Sequence, residues 1–189
     1  MKILEERILN DGKIINNEIL KVDNFINHQI DILLLDNICQ YLASKFTNID
    51  KIVTVETSGI AFAVGVAMHL NNIPVVFAKK TKSLILNDNV YSEEVKSFTR
   101  KTESQIYIDK AYIKENERCL IVDDFLAEGN AVMGLVNICK RAKAKVSGVA
   151  IVIEKEFQGG RQRILSEGLR LESAAVIERF ENNKPIFKK

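Results

Sequence analysis

Two adjacent carboxylates, Asp123 and Asp124, stand at the end of the apolar run Cys119-Leu-Ile-Val122 and are followed at once by the small-residue stretch Ala127-Glu-Gly-Asn-Ala131. Neighbouring carboxylates accept hydrogen bonds from vicinal hydroxyls such as those of ribose. Backbone N–H groups at the start of a helix hold a phosphate dianion. The layout is that of a cradle for a phosphorylated sugar, with Asp123 and Asp124 as the candidate catalytic pair and Ala127, Glu128, Gly129, Asn130 and Ala131 as the candidate phosphate loop. An acid pair after a buried strand also serves as a solvated turn or a helix cap, and a loop with one glycine is a weak signal by itself. Order strengthens the first alternative: Val132, Leu135, Val136, Ile138 and Cys139 follow at helical spacing, so the loop opens a helix. The loop carries neither Gly-Lys-Ser/Thr nor G-x-G-x-x-G, so other nucleotide-binding folds recede.

Two more segments could meet anions. Thr57-Ser58-Gly59 follows a β-branched run and opens a helix, so Ser58 and Gly59 can offer N–H groups to a diphosphate; an ordinary tight turn fits these residues equally well. Lys79, Lys80 and Lys82 follow the apolar run 74–78 and could neutralise a leaving diphosphate, although a basic cluster is also what a solvated surface looks like.

The elements that must position these residues follow from periodicity. A short amphipathic helix is expected over residues 2–9, a turn at Asp11-Gly12 and an extended piece over 13–22. A stronger helix starts after Asp31 as N-cap, with Leu34, Leu35, Ile38, Leu42 and Phe46 on one face. Strands are expected at 51–56, 74–78, 104–108, 119–123 and 146–153, helices at 59–70, 129–142 and 160–167, and an extended segment at 171–180. Residues 81–102 lose all period, which inside a compact domain means a functional loop or hairpin; we expect a mobile one. Apolar strands alternating with helices predict an α/β fold with a mainly parallel sheet covered on both faces. Ligands bind beyond the carboxyl ends of such strands. That rule gathers residues 56–59, 78–82, 123–131 and 154–157 at one rim.

Composition narrows the function classes. The 189 residues, 47% hydrophobic with only two prolines, fit a single domain with no linker. A net charge of +2 gives no general attraction to nucleic acid or membrane. No apolar segment is long enough to span a bilayer, and the N-terminus carries acids where a signal peptide needs an apolar core, so a cytoplasmic location is expected. Cys39, Cys119 and Cys139 lie within apolar patterns without C-x-x-C spacing and read as buried free thiols. With only His28 and His69, a His-based triad or multi-histidine metal site has little material.

Taken together, Glu56-Thr-Ser-Gly59, Phe77-Ala-Lys-Lys80, the 81–102 segment and above all residues 119–131 resemble the type I phosphoribosyltransferases over nearly the whole chain. The resemblance implies their fold with an N-terminal hood at 1–30 and an active-site loop at 81–102. It further implies 5-phosphoribosyl 1-diphosphate (PRPP) as co-substrate, Mg²⁺ carried mainly by substrate rather than by direct protein ligands, and a homodimer. One departure stands out: many relatives have Thr-Gly-Gly-Thr-like residues where this chain has Ala127-Glu-Gly-Asn-Ala131, so a hydroxyl contact to the phosphate is missing.

Residues 19–31, 97–105 and 151–158 resemble in particular the bacterial xanthine phosphoribosyltransferases. By position, that implies base contacts from Leu20, Asn27 and Lys155, with Phe157 adding stacking area. The chemistry is consistent, because xanthine has carbonyl oxygens at positions 2 and 6 and a lysine donates without accepting, so it disfavours an exocyclic amine. Without the resemblance, Lys155 also reads as a solvated residue between Glu154 and Glu156, Asn27 as a loop cap and Leu20 as core. The expected reaction is xanthine and PRPP to xanthosine 5′-monophosphate and diphosphate. The alternatives are the same transfer to guanine or hypoxanthine, or a non-catalytic PRPP sensor on the same fold.

Overall fold

The computed structural model describes residues 1–81, 89–96 and 103–189. A six-stranded sheet runs through the protein in the order β10-β9-β8-β7-β3-β4, formed by β3 (Lys51–Val55), β4 (Val75–Ala78), β7 (Arg118–Leu126), β8 (Lys145–Lys155), β9 (Leu171–Glu181) and β10 (Lys184–Phe187). All neighbouring pairs are parallel except β10 with β9.

The apolar runs read from the sequence are strands buried on both faces, and their alternation sorts the core into two layers. Ile52, Leu120, Val122, Ala150 and Val152 face α1 (Lys2–Asp11), α2 (Ile32–Ala43) and α3 (Gly59–His69). Val53, Cys119, Ile121, Val149 and Ile151 face α4 (Asn130–Arg141). Asp31 caps α2 as expected, its Oδ1 accepting the Leu34 N–H at 3.1 Å. All three cysteines are buried free thiols. Among the described residues no helix is long and apolar enough to cross a membrane.

Two expectations need correction. The 13–22 segment is not one extended piece: β1 (Lys13–Ile15) turns back into antiparallel β2 (Ile19–Lys21). Asn16 and Asn17 make that turn at φ 54° and 52°, in the left-handed region that asparagine tolerates better than most residues. Asn182 and Asn183 do the same at φ 51° and 57° and create the unexpected strand β10. The tips of the two turns meet: each of Asn17 and Asn183 donates its backbone N–H to the other's side-chain oxygen, at 3.1 and 2.7 Å.

A loop or hairpin was expected over residues 81–102. Residues 82–88 and 97–102, and with them Lys82, lie outside the described residues. The described part, β5 (Val90–Lys96), is one arm of an antiparallel hairpin with β6 (Glu103–Asp109), the second of the two alternatives expected there. The hairpin packs on α4, where Gly134 leaves room for Val95 and Ile106, and β6 joins the β4 edge through paired Lys79 and Tyr107 backbone bonds of 2.9 Å.

Candidate active site

The acid pair lies within a strand rather than at its end. β7 keeps its partner β8 as far as Leu126 opposite Glu154, but its pairing with β3 stops at Ile121 opposite Val53. Past that point the β3 side of β7 is open, and this is where Asp123 and Asp124 stand. Val55, Glu56, Thr57, Ser58, Gly59 and Lys80 line the cleft there together with Asp123, Asp124 and Ala127, Glu128, Gly129, Asn130 and Ala131.

Asp123 is only 6% exposed. Burial above all, and then the neighbouring Asp124 charge, holds its carboxyl well above the usual carboxylate range; burial likewise raises Asp124, while Lys80 pulls both the other way. The Asp124 N–H donates to Asp123 Oδ1 at 3.0 Å. Asp123 is thus a buried carboxylate beside a half-buried one, Asp124, a pair that hydroxyl donors and positive charge would satisfy. Gly59 makes the close approach possible: a Cβ there would sit 2.8 Å from Asp123 Oδ1 and 2.5 Å from Thr54 Oγ1.

Gly129 caps α4 in the left-handed conformation, φ 78° and ψ 15°. The first turn of a helix leaves its leading N–H groups without intrahelical partners, and residues Asn130 to Val132 of that turn line the cleft. On the other side, Glu56 ties two strand ends together by accepting the backbone N–H of Lys80. The Glu56–Thr57 peptide is cis.

The four residues expected to meet a base are not in this cleft lining. Lys155 ends β8, is 9% exposed and donates from Nζ to the Glu18 carbonyl at 3.3 Å, with Nζ 5.8 Å from the Phe180 ring. Burial pushes its pKa down and the Glu18 charge pushes it up. Phe157, exposed, meets Phe180 edge-on with ring centroids 5.2 Å apart. Leu20 is buried on β2, in the core, two residues from Glu18, and Asn27 is exposed at the end of the π-helical turn Asp23–Asn27. Lys155, Phe157 and the β1–β2 hairpin therefore gather beside the end of β8, one strand over from the acid pair. Lys79 is not brought to the cleft: it is exposed, and its backbone is taken up by Tyr107.

Sequence reasoning missed Glu154 and Arg161. Glu154 is 0% exposed and is held by Arg161 Nε and Nη2, each at 2.6 Å, and by Ser173 Oγ at 2.6 Å. A carboxylate inside the apolar run Ile151-Val-Ile-Glu154 was a usable signal, since a buried charge requires a partner.

Among known proteins, residues 23–173 match the phosphoribosyl transferase domain family, and the chain belongs to it. Its relatives include xanthine phosphoribosyltransferases of Clostridium tetani, 50% identical over 190 residues with both chains covered in full, and of Leuconostoc mesenteroides, 51% identical over 191 residues covering 99% of this chain and 100% of the relative. The fold is shared with solved adenine phosphoribosyltransferases: that of Rhodothermus marinus superposes with a TM-score of 0.73 at 19% identity, covering 94% of this chain and 100% of the other.

Proposed function

We propose that the protein transfers the 5-phosphoribosyl group of PRPP to N9 of xanthine, releasing diphosphate and forming xanthosine 5′-monophosphate. The observation that carries this is one cleft lined by the acid pair of buried Asp123 and half-buried Asp124, a helix-opening phosphate loop and Lys80; relatives of about half-identical sequence that bear this activity in their names support the choice of base.

The N9–C1′ bond forms as the C1′–O bond to diphosphate breaks; the electron pair leaves with the diphosphate and the N9 proton is released. Positive charge builds on the ribose and negative charge on the leaving group, so positioning and electrostatics can supply catalysis without a covalent intermediate. Asp123 and Asp124 accept the ribose hydroxyls and face the developing cation. The α4 loop holds the 5′-phosphate by backbone N–H groups, and Ser58, Gly59 and Lys80 receive the diphosphate. Lys155 donates to xanthine's carbonyl oxygens after giving up Glu18, Phe157 and Leu20 bound the ring, and Asn27 orients it.

Magnesium fits this site as an ion carried by substrate: the cleft offers the carboxylate oxygens of Asp123 and Asp124, donors suited to a hard cation. Asp123 and Asp124 would hold it through the ribose and water, and when bound it screens the diphosphate charge. A cytoplasmic homodimer belongs to the same proposal, and light scattering of the purified protein tests the dimer.

The decisive experiment offers xanthine, guanine, hypoxanthine and adenine separately with PRPP and Mg²⁺ and reads nucleotide formation. Preference for xanthine is expected. Preference for another purine would keep the reaction and overturn the base assignment, while PRPP binding without transfer would favour a sensor.

A further inference from the structure

The cradle residues do not hold themselves in place. The phosphate loop is backed by the first turn of α5 (Gly160–Ser166), which none of the roles above uses. Gly160 donates its N–H to the Ala127 carbonyl at 3.0 Å, and the two backbones are in such contact that a Cβ at Gly160 would lie 2.4 Å from the Ala127 oxygen and 3.0 Å from the Gly129 nitrogen. One turn on, Arg163 Nη1 donates both to the Glu128 carbonyl at 2.9 Å and to Asn130 Oδ1 at 2.6 Å. The Asn130 amide is thereby gripped at both ends, since its Nδ2 donates to Glu128 Oε2 at 2.9 Å. The loop thus has a charge-assisted tie exactly where its backbone N–H groups must converge on a phosphate.

We propose that Arg163 is a positioning residue for the phosphate loop: from the exposed side of α5 it fixes the Glu128 carbonyl and the Asn130 amide, so that the N–H groups of the loop are arranged before the 5′-phosphate arrives. Arg163 makes Asn130 part of the loop's frame. Preorganised donors bind an anion better than donors that must be ordered by it. The proposal rests on the function given above and names how its phosphate subsite is held.

The test is steady-state kinetics with PRPP and xanthine, together with calorimetric binding of PRPP alone, on Arg163→Gln, Arg163→Lys and Gly160→Ala. Losing two charge-assisted bonds, partly exposed to solvent, is expected to raise the KM and Kd for PRPP about tenfold in Arg163→Gln. The kcat and the KM for xanthine should move less than about twofold, and Arg163→Lys should recover part of the loss. Gly160→Ala removes no charge but pushes on the same loop, and should also raise the KM for PRPP. An unchanged KM for PRPP in Arg163→Gln, or a fall in kcat alone, overturns the proposal. A raised KM in Arg163→Gln with an unchanged one in Gly160→Ala also overturns it, because Arg163 would then be touching the phosphate itself. A parent protein that binds PRPP but transfers it to no base refutes the enzymatic function while the binding comparison still decides the role of Arg163; a parent that does not bind PRPP refutes both.

Discussion

Replacing Arg161 by Met strips two of three hydrogen bonds from a carboxylate with no access to water. Glu154 is 0% exposed, and Arg161 supplies a two-pronged contact at 2.6 Å on each oxygen. Breaking a buried pair from one side costs ~3–5 kcal/mol because an uncompensated charge stays behind. The Arg161 side chain is 22% exposed, so water can follow it out and reduce the loss to about 2–4 kcal/mol. Against a domain stability on the order of 5–15 kcal/mol, the variant still folds. Replacing both partners, Glu154→Leu with Arg161→Met, removes the charge along with its counter-ion and is expected to cost only about 1 kcal/mol. Urea unfolding at equilibrium measures all three proteins. Since Glu154 directly precedes Lys155, Arg161→Met should also raise the KM for xanthine more than that for PRPP. The reasoning fails if the single change costs less than about 1 kcal/mol, as exposed ion pairs do, or if the double change is at least as damaging as the single one.

Converting Asp123 and Asp124 together to Asn should lower turnover at least ~100-fold for every accepted base, by loss of the charge that faces the cationic ribose; near-normal turnover would refute their role. Burial and the Asp124 charge raise the folded pKa of Asp123 above its unfolded value near 3.9, so the stability this group contributes is complete below about pH 4 and is lost as pH rises through the folded value. Ligand-free Asp123→Asn should accordingly melt higher than the parent at pH 7 and lose that advantage toward pH 4, whereas an equal difference at both pH values would contradict the burial argument. Gly59→Ala places a methyl 2.8 Å from Asp123 Oδ1 and should cost ~1–3 kcal/mol of stability together with most of the turnover, read by thermal unfolding and initial rates. Lys155→Ala should chiefly raise the KM for xanthine and leave the Kd for PRPP within about twofold; equal losses in both would remove Lys155 from base selection.

Residues 119–123 and 146–153 were readable as strands because the apolar runs within them, 119–122 and 149–153, have to be buried on both faces, and the helix after residue 129 because its apolar spacing is local information. Such patterns determined the parallel α/β class, the burial of the three thiols, and the arrival of the acid pair, the Ser58–Gly59 turn and the α4 loop at one rim. The Asn-Asn turns escaped because asparagine signals many kinds of turn, and only the left-handed φ values at Asn16, Asn17, Asn182 and Asn183 turn the chain back into hairpins.

Tertiary structure alone decided the rest. Whether Asp123 is buried depends on where β3 stops pairing with β7, which no property of Asp123 encodes. Lys79 and Lys80 are adjacent and alike in the chain, yet the bridge to Tyr107 occupies the backbone of one while the other lines the cleft. Glu154 and Arg161 are seven residues apart, and Arg163 and Asn130 thirty-three, so their bonds exist only because the chain reverses after β8 and lays α5 against the phosphate loop. Periodicity records which side chains leave water; partners are chosen by the folding of distant segments onto each other.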